Sequence, residues 1–225
     1  MNPDWLSYGP LLLRAAGLTL WLSWLAMLIG AVGGTAVALL RTSRFRVLRL
    51  SALVYTEFFR SVPILIVMFF CYFGVPLVLG FDVSSFVAAT VALALHASST
   101  MSEVVRAGIE SVGRGQWEAA QASGMDRVQV MRYIVGPQAI RVVLPPSVGV
   151  FITTLKESSL ASIIGFIELT KTGLLIREST DGGLVPLLAL AALYFLINYA
   201  ISLVGGRLER RFHIGSRSDL VGAMG

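Results

Sequence analysis

Five stretches of the chain are poor in charged residues, and short polar segments separate them. A helix needs roughly 20 apolar residues to cross the hydrocarbon core of a bilayer, which is about 30 Å thick. Runs of this length therefore predict membrane-spanning helices. We place spans at about residues 15–40, 55–80, 83–106, 140–165 and 183–206. The whole chain, 1–225, is then expected to form a single all-α transmembrane domain.

The longest polar segment between two spans predicts a pair of short helices. Residues 116–123 are good helix formers and end at Gly124, the residue that most readily takes the left-handed conformation at a helix end. Asp126 can cap a second helix over 127–135 by accepting hydrogen bonds from its first-turn N–H groups. Gly136-Pro137 is then expected to break that helix. The pattern indicates a small hinged knob.

The side chains of this knob are typical of an interface. Ala119 and Ala120 let a partner approach closely, Trp117 offers an apolar anchor, and Glu118 offers a charge. We therefore expect a docking element formed by Trp117, Glu118, Ala119, Ala120, Gly124, Asp126 and Arg127.

Composition supports the membrane assignment and charge orients the chain. The mean hydropathy is +0.78, with 56% hydrophobic and 14% charged residues, which is far from a soluble domain. Cytoplasmic loops are enriched in Lys and Arg. An N-terminus outside and a C-terminus in the cytoplasm puts all the Lys and Arg residues on the inner side except Arg14, Lys156, Lys171 and Arg177. The segment at about 108–138 is then cytoplasmic.

Several chemistries are not indicated by the sequence. The net charge of +5 is not concentrated on a soluble module, so no nucleic-acid partner is expected. With one cysteine, Cys71, and two histidines, neither an internal disulfide nor a metal site is expected. No catalytic constellation and no GxxxxGK[ST] phosphate loop are present, so we expect ATP to bind elsewhere.

The third span carries a polar stripe. His96, Ser99, Glu103, Arg106 and Glu110 recur every three or four residues, which places them on one side of a helix. Ionisable groups inside a membrane are costly and usually line a cavity or pair with each other. The stripe therefore predicts a solute path, with Ser99, Glu103 and Arg106 alternatively bonding neighbouring helices.

Lys156-Glu157 interrupts the fourth span and supplies a second candidate. The two side chains either contact the carboxylate and amine of a zwitterionic solute or form an internal salt bridge at a gate. Residues 162–179, beyond them, predict an amphipathic helix at the outer face. The candidates for the solute path are His96, Ser99, Thr100, Glu103, Lys156 and Glu157.

The knob resembles the EAA loop of permeases from bacterial ABC importers. The match consists of Glu118-Ala119-Ala120, Gly124, Ile134 and Pro137. Further stretches resemble the polar amino acid branch of these permeases: residues 55–63, 115–120, 137–139 with Pro145-Pro146, 155–160, 167–169 and 208–211. The chain departs from that pattern at Gly136, where a leucine is usual, at Ser99-Thr100, and at Gly149. The missing leucine is expected to loosen the turn into the fourth helix.

The resemblance implies the transmembrane domain of a type I ABC importer, multi-pass in the bacterial cytoplasmic (inner) membrane. It implies two cytoplasmic ATPase subunits that carry ATP and Mg²⁺, a second permease, same or related, and an extracytoplasmic solute-binding protein. It implies transport of a polar amino acid or related small zwitterion by alternating access. Two alternatives remain open at this point: a proton-coupled secondary transporter that uses Glu103 and His96, and a purely structural subunit.

Overall fold

The computed structural model describes residues 5–180 and 183–212, and within them the chain is helical with short connections. The helices are α1 (Trp5–Arg41), α2 (Arg46–Ser61), α3 (Ile64–Leu79), α4 (Ser85–Glu110), α5 (Arg114–Ala122), α6 (Arg127–Ser162), α7 (Leu169–Ser179) and α8 (Val185–Phe212). The predicted all-α class is confirmed.

α4 forms the centre of the bundle and packs against α1, α2, α3 and α6. Its contact with α1 is close because small residues face each other there. A Cβ added at Gly30 would lie 2.7 Å from the Cβ of Ala97, and one at Gly34 would lie 2.6 Å from the Cβ of Met101. The two glycines therefore allow α1 and α4 to approach closely, in the way that small residues do at contacts between membrane helices.

We expect Gly34→Val to destabilise the bundle, whereas Gly17→Val should not. Both changes add the same side chain to α1, but nothing lies within 4 Å of a Cβ at Gly17. Overpacking a close contact costs typically about 1–3 kcal/mol. Thermal unfolding of the purified protein in detergent measures the difference. Equal unfolding midpoints for the two variants would contradict this account of the α1–α4 contact.

Among the described residues, four helices, α1, α4, α6 and α8, are long and apolar enough to cross a membrane. The bent pair α2–α3 raises the number to five if it counts as one span. The helix predicted at 55–80 is two helices in the structure, with an angle of 102° between them. Pro63 lacks an N–H and holds Val62 in an extended conformation, with φ −82° and ψ 128°, so α2 cannot continue.

The break predicted at Gly136-Pro137 is wrong, because α6 runs through both residues. The helix widens into a π-helical stretch over Val130–Val135, where the Gly136 N–H donates to the Met131 carbonyl. A wider turn leaves room for the ring of Pro137, which has no N–H to donate and would clash with the preceding turn of a regular α-helix. A Cβ at Gly136 would lie 2.6 Å from the Met131 carbonyl oxygen. The backbone is therefore closely packed at this glycine, and the turn is not loosened as expected.

A buried carboxylate in the segment between α6 and α7 links α1, α7 and α8. Glu168 is fully buried and accepts hydrogen bonds from the Thr170 N–H at 2.8 Å, the Lys171 N–H at 2.9 Å and the Tyr194 hydroxyl at 3.0 Å. The Thr19 hydroxyl of α1 lies 3.4 Å away. Burial raises the pKa of the Glu168 carboxyl, and these donors oppose the rise. The predicted amphipathic helix consequently begins after Glu168, at α7, and not at residue 162.

Candidate coupling segment and solute path

The predicted knob is a tight helical hairpin formed by α5 and the start of α6. α5 ends at Ala122, and Gly124 just beyond it has a left-handed φ of +82°. The Met125 N–H donates to the Ala120 carbonyl at 3.2 Å, as in a Schellman motif. Asp126 accepts from the Gln129 N–H at 2.8 Å, and the Gln129 side chain accepts from the Asp126 N–H at 2.9 Å. This reciprocal capping box fixes the start of α6.

The hairpin presents only part of the predicted docking surface. Glu118, Ala119, Gly124, Asp126 and Arg127 are exposed. In contrast, Ala120 is buried in the hydrophobic cluster beneath the hairpin, and Trp117 and Met125 pack partly against that cluster. The structure therefore places the expected apolar anchor Trp117 half inside the chain.

Sequence reasoning missed Val128 as an exposed apolar residue. It is 74% exposed, lies between the two capping-box residues Asp126 and Gln129, and lines a hollow of about 450 Å³ with Trp117, Arg127 and the end of α1. The signal was available, because a helix that starts at Arg127 and buries Val130 turns Val128 away from the core.

α4 has one open face, and it differs from the predicted stripe. His96, Thr100, Glu103, Ala107 and Glu110 follow one another at three- and four-residue spacing and are at least partly accessible. Ser99 is fully buried and donates its hydroxyl to the His96 carbonyl at 2.7 Å. Of the predicted path residues on α4, the open face therefore carries His96, Thr100 and Glu103, and Ser99 lies behind it.

A direct contact joins two predicted path residues from different helices. His96 Nδ1 lies 3.0 Å from Glu157 Oε2, so the α4 imidazole and the α6 carboxylate share a hydrogen bond. Both side chains are about one-fifth exposed, at 20% and 21%. The pair therefore borders the open face of α4 and remains accessible to a small polar molecule.

Lys156 points to a different side of α6 from Glu157. It lines an open groove of about 630 Å³ between α6, α7 and α8, together with Tyr194, Asn198 and Tyr199. The structure shows no ion pair between Lys156 and any described side chain. Of the two alternatives for Lys156 and Glu157, solute contact or an internal salt bridge, the structure does not show the salt bridge between them; Glu157 pairs with His96 instead.

Glu103 is surrounded by arginines from three helices. Arg41 of α1 contacts Glu103 Oε1 directly, Arg60 of α2 lies 3.8 Å from the same oxygen, and Arg106 binds Oε2 at 2.8 and 3.0 Å. Arg106 also bonds Glu110 at 2.6 Å. Glu103 thus joins neighbouring helices, which was the alternative reading of the stripe.

The hairpin, α6 and the His96–Glu157 pair form one continuous unit. α6 is a helical run of 36 residues that begins at the hairpin turn and carries Glu157 near its other end. A helix rises about 1.5 Å per residue, so the stretch from the hairpin turn to Glu157 is roughly 45 Å long. The hairpin and the His96–Glu157 pair therefore lie near opposite ends of one helical run.

Comparison with known proteins places these features in context. Residues 26–214 match the family described as binding-protein-dependent transport system inner membrane component. The chain is 37% identical to the probable glutamine ABC transporter permease protein GlnP of Bacillus subtilis (strain 168), over 86% of this chain and 89% of the relative. It is 32% identical to the arginine transport system permease protein ArtQ of the same organism, over 90% and 92%.

A solved structure has the same fold. It is described as the crystal structure of an amino acid ABC transporter with histidines. The TM-score is 0.86 at 37% sequence identity, and the alignment covers 94% of this chain and 100% of that one.

Proposed function

Because the chain belongs to the family of binding-protein-dependent transport system inner membrane components, we propose that it carries polar amino acids or related small zwitterions across the membrane. It is a permease subunit of an ABC transporter, a transport component that works with a separate ATPase subunit and a substrate-binding protein. The observation that carries the proposal is the continuity of the exposed hairpin, through α6, with the His96–Glu157 pair.

The proposed orientation has the N-terminus outside and the hairpin and C-terminus in the cytoplasm. It is supported by the distribution of Lys and Arg residues along the sequence. The hairpin then faces the compartment that supplies ATP. Each transporter would contain two ATPase subunits, with ATP and Mg²⁺, and two permeases, this chain paired with a second copy or a related chain.

Transport proceeds by alternating access in this proposal. The ATPase subunits bind the hairpins more tightly in one state than in the other, and that difference in affinity shifts the equilibrium of the membrane helices. α6 moves with its hairpin, and the surroundings of Glu157 change relative to α4. The capping box of Asp126 and Gln129 fixes the start of α6 at the turn, which supports a joint movement of the hairpin and α6.

The His96–Glu157 pair is the proposed contact for the solute. A free amino acid carries an ammonium group, which the Glu157 carboxylate can accept in place of the His96 imidazole. Thr100, one turn further along the same face of α4, offers a hydroxyl to a second polar group of the solute. Lys156 lies on the other side of α6 and does not join this contact.

Uptake of an amino acid panel into proteoliposomes tests the proposal. The vesicles contain the permease, its ATPase subunit and ATP inside, with the binding protein outside. We expect uptake of polar amino acids, and we expect Glu157→Gln to raise the half-saturating concentration about tenfold, because a hydrogen bond to a charged group contributes about 1.5–3 kcal/mol.

Glu178→Gln is the matched control. Glu178 is exposed on α7, so this substitution removes the same charge at a position away from the pair. The solute assignment is contradicted if no amino acid is transported. The role of the pair is contradicted if Glu157→Gln and Glu178→Gln give the same half-saturating concentrations and the same order of preference across the panel.

A further inference from the structure

An arginine-rich hollow of about 360 Å³ lies where α1 ends, α2 begins and α4 passes. Its wall consists of Arg41, Arg46, Arg49, Leu50, Leu53, Arg106 and Glu110. Four guanidinium groups line the hollow, and two carboxylates, Glu110 in the wall and Glu103 bound to Arg41 and Arg106, offset part of their charge, so two positive charges remain in surplus. Arg46 and Arg49 belong neither to the predicted solute path nor to the hairpin, so neither of these sites accounts for the remaining charge.

Only two of the four arginines that line the hollow form ion pairs with described side chains. Arg41 and Arg106 are bound to Glu103, as described above. Arg46 and Arg49, in the first turn of α2, form no ion pair with the side chains that the structure describes. Like charges in one hollow repel each other, so an anion that binds there gains from both free guanidinium groups.

α2 has the character of a helix that lies in a membrane interface. It buries only Ala52 and Thr56 against the bundle, whereas Val47, Val54 and Phe58 are 75%, 59% and 55% exposed on another side. The arginines occupy a third side. An amphipathic helix with basic and apolar faces lies along the boundary between headgroups and acyl chains, and the 102° bend turns α2 away from the direction of α3.

We propose that this hollow binds the phosphate headgroup of an anionic phospholipid. Arg46 and Arg49 donate charge-assisted hydrogen bonds to the phosphate oxygens, for which the planar guanidinium group is well suited. Leu50 and Leu53, exposed at the edge of the same hollow, contact the first part of the acyl chains. The proposed orientation of the permease places the lipid in the cytoplasmic leaflet, which is rich in anionic lipids.

Native mass spectrometry of the purified permease–ATPase complex in detergent tests the site. The probes are phosphatidylglycerol, phosphatidylcholine with the same acyl chains, and inorganic phosphate. We expect phosphatidylglycerol to bind at least about tenfold more tightly than phosphatidylcholine. Arg49→Gln should weaken phosphatidylglycerol about fivefold, since one arginine near an anionic lipid surface is lost, and the double variant Arg46→Gln/Arg49→Gln should abolish the preference.

Two further variants make the test specific. Arg44→Gln removes the same charge from a residue that stacks over Phe45, at 5.0 Å, and does not line the hollow, so binding should hardly change. Glu110→Gln removes the one carboxylate of the wall, so phosphatidylglycerol should bind more tightly. A purely structural role for Glu110 would not raise lipid affinity.

Four results would overturn the proposal. The first is equal binding of the two lipids, and the second is equal weakening by Arg44→Gln and Arg49→Gln, which would indicate diffuse surface charge. The third is displacement of the lipid by millimolar inorganic phosphate, which would assign the hollow to a free anion. The fourth is loss of the ATPase subunit from the double variant with unchanged lipid binding, which would assign it to a protein contact. None of these results depends on which solute is transported.

Discussion

Glu118→Arg abolishes uptake and stimulation of the partner ATPase, whereas the variant protein remains in the membrane at the wild-type level. Glu118 is exposed on α5, so reversing its charge does not disturb the packing of the chain. It places a like charge against any basic surface of the partner, which costs binding free energy at the interface. Glu209→Arg, the same reversal on the exposed side of α8, should transport normally.

Gly124→Val gives the same loss of uptake through the backbone. Gly124 has a φ of +82°, and nothing lies within 4 Å of an added Cβ. Its effect therefore comes from the left-handed conformation, which costs a β-branched residue about 1–3 kcal/mol, and the hairpin changes shape. Gly115→Val adds the same side chain at an exposed helical position with equally open surroundings. Normal uptake by Gly124→Val would contradict a coupling role for the hairpin.

Glu103→Gln lowers the stability of the bundle by about 2 kcal/mol. The change leaves the arginines from α1, α2 and α4 without their shared counter-charge. Removing one partner of a buried ion pair costs about 3–5 kcal/mol, and the partial exposure of this cluster, 20% for Glu103, reduces that cost. The midpoint of thermal unfolding in detergent should fall by roughly 4–8 °C.

The control for this change is Glu110→Gln. Glu110 is 60% exposed and pairs only with Arg106 among the described side chains, so its loss should cost less than about 1 kcal/mol. Transport separates the two roles of Glu103. If Glu103 is structural, Glu103→Gln leaves the order of preference across an amino acid panel unchanged. A changed order of preference with unchanged stability would instead indicate that Glu103 contacts the solute.

The hairpin was the most predictable part of the molecule because its signals are local. The left-handed residue and the cap stand at the positions where α5 ends and α6 begins, Gly124 and Asp126. Their effect on the backbone depends on neighbours within a few residues. The continuation of α6 through Pro137 was not predictable in this way, since it depends on the widened turn between Met131 and Gly136.

The candidate site was only partly predictable, because its contacts join distant residues. Periodicity placed His96 and Glu103 on one side of a helix, but it did not show that α4 turns Ser99 inward. The partner of His96 is 61 positions away in the sequence. The burial of Glu168 was not predicted, because it depends on packing against Thr19 and Tyr194, which are 149 and 26 positions away.

The most direct test of the central claim, that ATP hydrolysis on a partner drives the solute path of this chain through the hairpin, is uptake into proteoliposomes under separately controlled ATP and proton gradients. The account predicts uptake only when the ATPase subunit and internal ATP are both present, with no effect of an ionophore that collapses the proton gradient. Uptake that persists without the ATPase subunit and follows an imposed proton gradient would contradict it.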